Sequence, residues 1–363
     1  MKILVINSGS SSIKSKLIDS NTQEVIYSQN FQEIKNHEQC LKSLFLKIDL
    51  DDVDAFAHRV VHGADQFYKS IIIDDEVLRQ LDSIEYLAPL HNPANTKAIK
   101  ILKNMFPSKP QIAVFDTAFH HTMEPKAYMY ALPYSLYKEH NIRKYGFHGS
   151  SHAYLTQKAS ELLNKSISQT TIISLHLGNG CSACAIKNGK SIDTTMGFTP
   201  LEGLMMGTRS GDIDPLIILF LEDKLNMDTQ TINNLLNKQS GLKGISNYSS
   251  MKDVVELMKK GDIMATLAFE MFIYKIVKTI GSYWMILKNL DAIVFSGGIG
   301  EYSFTVRKAI IENISKLMQI NFNINANNQN RVTISNSNSK VKLFVIPTDE
   351  ELYIANEAKS LLT

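Results

Sequence analysis

Apolar and polar positions alternate near the start of the chain with the period of half-buried strands. The segments KILVIN, IKSKLID and EVIYSQ alternate in this way, and a helical pattern begins near Asn36. Since successive side chains of a strand point to opposite faces, the pattern predicts an antiparallel meander. The loop NSGSSS between the first two strands is longer than a hairpin requires. We therefore expect this loop to hold a ligand.

The same arrangement returns about 165 residues later as a long-period internal repeat. TIISLHLG, CSACAIK and KSIDTT again predict three strands, and a small loop, NG, joins the first two. Duplicated domains that face one ligand would explain why both loops consist of small residues.

Elsewhere strands and helices alternate, and after residue 200 the pattern is mainly helical. Asn92 and Pro93 predict a helix start in which the asparagine caps free N–H groups. Asp214 and Pro215 open another helix, and an apolar periodicity runs from about Met251 to Leu287. Further segments predict strands (DAFAHRVV, IAVFDT, DAIVFSGGIG, KVKLFVIP), helices (DDEVLRQLD, SHAYLTQKASELLN, DEELYIANEAKSLL) and an exposed loop or ragged hairpin (NINANNQNRVTISNSNSK).

Length and composition predict a globular protein of two domains with a cleft between them. At 363 residues the chain is longer than the length at which a single hydrophobic core stops growing. A net charge of +2 gives no reason to expect nucleic acid or an anionic membrane as a partner. The N-terminal apolar run, ILVI, is too short for a signal peptide, and no stretch approaches 18 uncharged apolar residues. We therefore expect a cytoplasmic protein.

The chain has three cysteines, too few for a disulfide framework. Cys181 and Cys184 have redox or zinc spacing, but they lie in a run that alternates like a strand. Residues three apart on a strand face opposite sides, so we interpret both as small core residues.

Three glycine-rich turns follow predicted strands: NSGSSSIK, HLGNG and SGGIGE. Small residues let successive N–H groups converge on phosphate oxygens, and three such turns together favour a nucleotide site. No GxxxxGK[ST] or GxGxxG pattern is present, which excludes an ordinary P-loop or Rossmann site. At the last helix, Thr348 and Glu351 have capping-box spacing, which would leave Glu350 free to point elsewhere.

Nine motifs in this order give the chain a resemblance to the acetate kinase family: VINSGSSSIK, HRVVHGAD, APLHNP, VFDTAFH, YGFHGSSH, HLGNG, MGFTPLEGLMMGTRSGDIDP, SGGIGE and IPTDEEL. The resemblance implies an α/β protein of two duplicated ribonuclease-H-like domains with mixed sheets flanked by helices, the actin-like ATPase fold. The first domain would span 1–147, with the helix 350–363 returning to it. The second, 148–349, would carry nucleotide contacts and the contacts of a homodimer.

The implied activity is reversible, Mg²⁺-dependent, in-line transfer of a phosphoryl group from ATP to acetate, giving acetyl phosphate and ADP. Domain closure would exclude water from the reaction. The alternative within enzymes is a propionate or broader short-chain carboxylate kinase. The alternative from another class is a nucleotide-dependent clamp or chaperone.

The resemblance also assigns ligand contacts. Asn7 and Glu350 match Mg²⁺ positions, with Mn²⁺ as a substitute, and Mg²⁺ needs only one or two protein oxygens beside phosphates and waters. The residues that match ATP-phosphate positions are Ser10, Ser12, Lys14, His176, Leu177, Gly178, Asn179 and Gly180. Those that match the adenosine side are Gly298, Ile299, Gly300, Glu301 and Tyr302.

Around the transferred group the family sets Arg59, Arg209 and His148, and fixed cationic donors suit the charge of a loose transition state. Asp116 matches a residue described as a proton acceptor. Because acetate is already ionised at pH 7, we expect Asp116 instead to orient an arginine or to hold a magnesium-bound water.

The acetate end would be formed by Arg59, His91, Val61, Leu90, Phe147 and Pro200. A valine restricts pocket depth, so acetate is favoured, but one methylene is worth only ~1–3 kcal/mol. For His91 a packed, hydrogen-bonded histidine is the alternative. Two departures stand out: the segment before HRVVHG is about 30 residues shorter than is usual in the family, and the adenine-side pattern Asp-Met-Arg is missing, with Ser250 and Lys252 nearest to it.

Overall fold

The computed structural model describes residues 1–9, 12–34, 36–88 and 91–363, which group into two compact units. The first unit comprises Met1–His121, Phe147–Tyr154 and Asp349–Thr363, and the second comprises Thr122–Gly146 and Leu155–Thr348. The sequence-based boundary at residue 147 would count 122–146 with the first domain, and that domain division stays a prediction.

The first unit is built on a six-stranded mixed sheet. Its strands are β1 (Lys2–Ser8), β2 (Ser12–Asp19), β3 (Glu24–Gln32), β4 (Ala55–Val60), β5 (Ile71–Ile72) and β6 (Gln111–Phe115). The order is β3-β2-β1-β4-β6-β5, with an antiparallel meander β1–β2–β3 and parallel pairs β1–β4 and β4–β6. The carboxyl ends of β1, β4 and β6 therefore meet at one edge.

The second unit repeats this topology. Its strands are β7 (Ile172–Leu177), β8 (Cys181–Lys187), β9 (Lys190–Thr194), β10 (Ala292–Ser296) and β11 (Lys342–Val345). The order β11-β10-β7-β8-β9 again places two parallel strands beside an antiparallel meander. The repeat predicted from the sequence is confirmed, and Cys181 and Cys184 are buried on a strand as expected.

Helices cover the faces of the sheets. They are α1 (His37–Phe45), α2 (Asp75–Ser83), α3 (Asn92–Met105), α4 (Pro125–Tyr128), α5 (Tyr134–His140), α6 (Gly149–Leu163), α7 (Leu216–Leu225), α8 (Thr229–Asn234), α9 (Gly241–Ser246), α10 (Met251–Lys259), α11 (Ile263–Leu287), α12 (Gly297–Tyr302), α13 (Phe304–Met318), α14 (Ile324–Asn328) and α15 (Glu350–Leu362). None of them, among the residues described, is long and apolar enough to cross a membrane.

Alternation along β1 explains how one strand supports two helical layers. Ile3 and Val5 pack in a cluster with Ile354 of α15. Leu4 and Ile6 point the other way and pack with Leu41 of α1 and residues of α3. Both faces of the central strand are therefore buried, which fixes its register.

The structure adds detail to three local predictions. The apolar run 251–287 is helical, as its periodicity predicts, and it is divided at Gly261 (φ 86°) into α10 and α11. The cap of α15 is Asp349, one residue later than predicted, and its carboxylate accepts from the Leu352 N–H. The Glu351 carboxylate pairs with Lys16 at 3.2 Å. The Asn-rich stretch contains the short helix α14 and two isolated bridges.

The predicted cap at Asn92 is also wrong. Asn92 is the first residue of α3, as predicted, but its side chain does not cap the helix. It bridges the main chain of His62, accepting from the N–H at 3.1 Å and donating to the carbonyl at 3.0 Å. A buried amide can satisfy two backbone groups at once, so Asn92 fixes the segment after β4 instead of the start of its own helix.

Candidate active site

Arg59 is the centre of a charged cluster in the first unit. Its guanidinium donates to both carboxylate oxygens of Asp116, with an Nε–Oδ1 distance of 3.0 Å, and to the Asn7 amide oxygen at 3.3 Å. Glu350 Oε2 lies 3.5 Å from Arg59 Nε. Asn7 is the next-to-last residue of β1, Arg59 is on β4 and Asp116 follows β6, so the sheet's carboxyl edge brings three distant segments together. The start of α15 adds Glu350.

Burial governs the electrostatics of this cluster. The side chain of Asp116 is 1% exposed, against 18% for Arg59 and 16% for Glu350. Burial raises the pKa of Asp116 to about 6, with Arg59 acting in the opposite direction and Glu350 in the same one. Burial also raises the pKa of Glu350, against the attraction of Arg59. Burial lowers the pKa of Arg59, but its two carboxylate neighbours outweigh this effect and raise the pKa above its ordinary value.

The segment His148–Ser150 is fixed against Asp116. His148 has a left-handed backbone (φ 58°), and the Gly149 N–H donates to the Asp116 carbonyl at 2.9 Å. A Cβ at Gly149 would lie 2.0 Å from that carbonyl oxygen, so only glycine fits there. The Ser150 hydroxyl lies 3.3 Å from Asp116 Oδ1. The hydrogen bond from Gly149 therefore holds the backbone after His148 against the backbone of Asp116.

The first small-residue loop is anchored from α3 and α1. The Asn95 amide donates to the Ser8 carbonyl at 2.6 Å and accepts from the Val61 N–H at 3.2 Å, and His37 Nε2 lies 2.8 Å from the Gly9 carbonyl. Across the hairpin Lys14 pairs with Asn7, and its side chain is exposed. Ser12 begins β2, whereas Ser10 lies outside the described residues.

The residues predicted for the acetate end divide between the units. Val61 and Phe147 are buried in the first unit, where the Phe147 ring contacts the His62 ring at a centroid distance of 5.7 Å. His91 precedes α3 and is half-buried, and Leu90 lies outside the described residues. Pro200 belongs to the second unit, where its carbonyl accepts from Arg209 at 3.1 Å.

In the second unit, the loops after β7 and β10 line one cavity of about 650 Å³. Gly297 (φ 72°) brings the loops together, because a Cβ there would lie 2.7 Å from the Leu177 carbonyl oxygen. The predicted nucleotide residues that line the cavity are Gly178, Asn179, Gly298, Ile299 and Tyr302. Of the nucleotide residues predicted in the second unit, five do not line it: His176, Leu177, Gly180, Gly300 and Glu301. Ser12 and Lys14 belong to the first unit. Glu301 is buried and accepts from the Thr348 N–H at 3.2 Å.

The loop 196–211 is held by a polar network that presents Arg209. Glu202 is hydrogen-bonded to the Tyr130 hydroxyl, which in turn accepts from the Phe198 N–H at 2.8 Å. Lys144 lies 3.5 Å from Glu202 Oε1. Burial lowers the pKa of Arg209, whose ordinary value is so high that the guanidinium stays charged at neutral pH.

Comparison with known proteins decides the family. A model of the acetokinase family matches residues 31–356. The chain belongs to the acetokinase family. An acetate kinase of Campylobacter jejuni subsp. jejuni is 44% identical over an alignment of 394 residues that covers 100% of both chains. The crystal structure of Porphyromonas gingivalis acetate kinase matches with a TM-score of 0.94, 37% identity and full coverage of both chains. That of a propionate kinase from Francisella tularensis subsp. tularensis matches with a TM-score of 0.92, 41% identity and 98% coverage of each.

Membership of the acetokinase family confirms the predicted fold class, two duplicated ribonuclease-H-like domains of the actin-like ATPase fold. It makes the chain a phosphotransferase that uses ATP or ADP. The roles of the individual residues stay predictions.

The sequence does not predict the roles of several residues that hold parts of these two units in place: Asn92, Asn95 and Ser150 in the first unit, and Tyr130 and Glu202 in the second. Asn92, Ser150 and Glu202 lie inside quoted motifs, but their types are common in caps and on surfaces. Asn95 and Tyr130 lie outside those motifs. Only the tertiary contacts reveal what each of them holds in place.

Proposed function

We propose that this chain catalyses reversible in-line transfer of the terminal phosphoryl group of ATP to acetate, giving acetyl phosphate and ADP, and that it requires Mg²⁺. The single observation that carries the proposal is the match of the acetokinase family model to residues 31–356. The buried Arg59 cluster and the glycine-lined cavity support it, because they supply an anion-binding group and a nucleotide-sized space.

The donor set of the first unit fits a magnesium ion. Asn7 offers an amide oxygen and Glu350 a carboxylate, and both lie beside Arg59. Hard oxygen donors in small number suit Mg²⁺, which keeps waters and phosphates as its other ligands. Bound there, Mg²⁺ would neutralise charge on the ATP phosphates. With Asp116 and Glu350 both ionised against one guanidinium, the cluster carries a net negative charge that favours a divalent cation.

Asp116 acts as a positioning residue in this proposal. Its two oxygens engage the guanidinium of Arg59 in a paired arrangement, which fixes the plane of that group. Arg59 can then donate from its remaining N–H groups to a carboxylate or phosphoryl oxygen. Acetate arrives ionised, so no proton has to be removed before it attacks. His148, held rigidly after Phe147, donates to the transferred group.

Arg209, on the loop 196–211 of the second unit, is a further proposed donor to the transferred phosphoryl group. One of its N–H groups is used by the Pro200 carbonyl, which leaves others for a phosphoryl oxygen. A fixed, partly buried cation stabilises developing charge without reorganisation. The glycine-lined turns of that unit offer backbone N–H groups to the ATP phosphates.

Acetate is the proposed preferred acid because Val61 is buried and β-branched. The match to a propionate kinase at 41% identity keeps propionate as the second candidate. Comparing kcat/KM for the two acids decides between them.

We further propose a cytoplasmic homodimer. Six apolar side chains of α7 are exposed, Leu216, Ile217, Ile218, Leu219, Phe220 and Leu225. Such a run needs cover in water. The resemblance to a dimeric family makes a second copy of the chain the expected cover, and sedimentation velocity would detect it. The three free cysteines agree with a reducing compartment.

The test of the activity is an acyl-phosphate trap. Protein, MgATP and acetate are incubated with hydroxylamine, and hydroxamate is expected only if an acyl phosphate forms. Release of ADP without hydroxamate would support a nucleotide-dependent clamp instead. Arg209→Ala is expected to lower kcat by about a thousandfold or more. The exposed Arg331 provides the matched control, and Arg331→Ala should retain the wild-type rate. A near-normal rate for Arg209→Ala would contradict its proposed role.

A further inference from the structure

One face of α10 forms a wall of the cavity in the second unit. Lys252, Val255, Glu256 and Lys259 recur at the spacing i, i+3, i+4 and i+7, and all four line the cavity. Tyr302 and Phe304 belong to the wall that α12 and α13 contribute. The family resemblance assigns no role to the α10 face, because the family's adenine-side pattern is missing there.

The orientation of α10 fixes which end of the cavity receives the phosphates. A Cβ on Gly207 would lie 2.1 Å from Asn179 Oδ1 and 2.9 Å from the Ser249 carbonyl oxygen. Ser249, just before α10, therefore adjoins the β7–β8 hairpin, to which the proposed function assigns the ATP phosphates. α10 begins two residues after Ser249, and Lys259 Nζ at the other end of the helix lies 6.0 Å from the centre of the Phe304 ring.

Distance along the helix matches the length of a nucleoside. From Lys252 to Lys259 the axis advances about 10 Å, at 1.5 Å per residue, which is about the extent of a ribose with its base. Lys252 is then beside the polyphosphate, where its charge is favourable. The distal end offers Val255 and the Phe304 ring, surfaces on which a base can pack. Glu256 is between these ends, at the level of the sugar.

The Glu256 carboxylate is suited to sugar hydroxyls. Of the described residues that line the cavity, Glu256 alone carries a carboxylate. It makes no hydrogen bond or ion pair with any residue that the structure describes, although Lys252 and Lys259 share its helix face. A carboxylate has two oxygens that accept, and a ribose presents two adjacent hydroxyls that donate.

We propose that Glu256 accepts hydrogen bonds from the ribose 2′- and 3′-hydroxyls and is the residue that makes the protein selective for ribonucleotides. This inference rests on the proposed function, since it takes ATP as the phosphoryl donor. A hydrogen bond to a charged acceptor contributes enough to change affinity about tenfold or more. The effect appears in KM for the nucleotide, because the sugar contact is the same in ground and transition states.

The test compares ATP with 2′,3′-dideoxy-ATP, which lacks both hydroxyls, in the hydroxamate assay with the full-length protein. The wild type is expected to prefer ATP by about tenfold or more in kcat/KM. Glu256→Gln should lower kcat/KM for ATP towards the dideoxy value and leave the dideoxy value nearly unchanged. Asp253→Asn is the matched control, because Asp253 is exposed on the same helix and does not line the cavity. It should keep the wild-type preference.

Three outcomes overturn the inference: a wild type without preference, an undiminished preference in Glu256→Gln, or an equal loss for both nucleotides in that variant. The last outcome would indicate a structural effect of the substitution. Failure of the proposed function gives a different result, the absence of hydroxamate from the wild type with any nucleotide. Titration of the protein with ADP and 2′,3′-dideoxy-ADP provides a second readout, in which only the wild-type affinity should depend on the hydroxyls.

Discussion

Replacing Arg59 by methionine tests the electrostatics of the first unit most directly. Methionine keeps the length of the side chain but removes the guanidinium. The change leaves the carboxylates of Asp116 and Glu350, 1% and 16% exposed, without their shared cation. Removing one partner of a buried pair typically costs about 3–5 kcal/mol when the other stays charged. We expect a loss of that order in the free energy of unfolding of Arg59→Met at pH 8.

The loss should be smaller at pH 5, and the pKa values give the reason. In the wild type the pKa of Asp116 is raised from 3.8 to about 6, so the contribution of this carboxyl to stability is present below pH 4 and is lost as the pH rises through 6. In Arg59→Met the pKa of Asp116 rises further, so the contribution of the Asp116 carboxyl to stability continues to fall up to a higher pH. Each additional pKa unit costs about 1.4 kcal/mol above the new value. The pKa of Glu350 should also rise, because Arg59 lowers it in the wild type.

Stability has to be measured in the first unit, and the single tryptophan, Trp284, lies in the second. Urea unfolding at pH 5 and pH 8 can be followed by pulsed hydrogen exchange and mass spectrometry of peptides from β1, β4 and β6. Arg79→Met is the control, because Arg79 and Glu76 form an exposed pair, 70% and 59% accessible. The pKa of Glu76 is lowered, so this pair does not titrate between pH 5 and 8. Destabilisation of Arg59→Met by the same amount at both pH values would show that the protonation of Asp116 and Glu350 does not control the effect.

Two further predictions concern the shape of the site. Gly149→Ala should lower the free energy of unfolding by about 1–3 kcal/mol, because the new Cβ would lie 2.0 Å from the Asp116 carbonyl oxygen. The control, Gly281→Ala, has nothing within 4 Å of the new Cβ and should stabilise its helix by about 0.5–1 kcal/mol. Thermal unfolding that ranks the two variants in the opposite order would contradict the packing argument. Val61→Ala should raise kcat/KM for propionate relative to acetate by about tenfold, and an unchanged ratio would show that Val61 does not limit pocket depth.

Much of the fold follows from local pattern. The alternation of apolar and polar residues in KILVIN and IKSKLID predicts strands, because successive side chains of a strand point to opposite faces. The structure contains these strands as β1 and β2. The duplication is visible because each meander keeps a small-residue loop at its first bend. The glycine-rich loops after β7 and β10 are also visible in the sequence, because few residue types fit such turns.

Local pattern failed where a side chain had two possible partners. Asn92 has the residue type of a helix cap, yet it bridges His62, which is thirty positions away. Thr348 and Glu351 have capping-box spacing, but Lys16 on β2 attracts Glu351 and Asp349 takes the cap. In both cases the side chain contacts a partner far along the chain instead of the local one. The prediction that Glu350 faces away from its own helix end still agrees with its position beside Arg59.

The strands, the repeated meander, the family motifs and the residue types available for phosphate chemistry can be predicted from the sequence, because each depends on a local pattern. The set of side chains that surrounds the Arg59 guanidinium follows from the tertiary structure. Asn7, Arg59, Asp116 and Glu350 come from four distant segments, and they meet because parallel strands end at one edge of a sheet and α15 begins there. The pKa of Asp116 depends on burial and on partners far along the chain, and neither quantity is present in the local sequence.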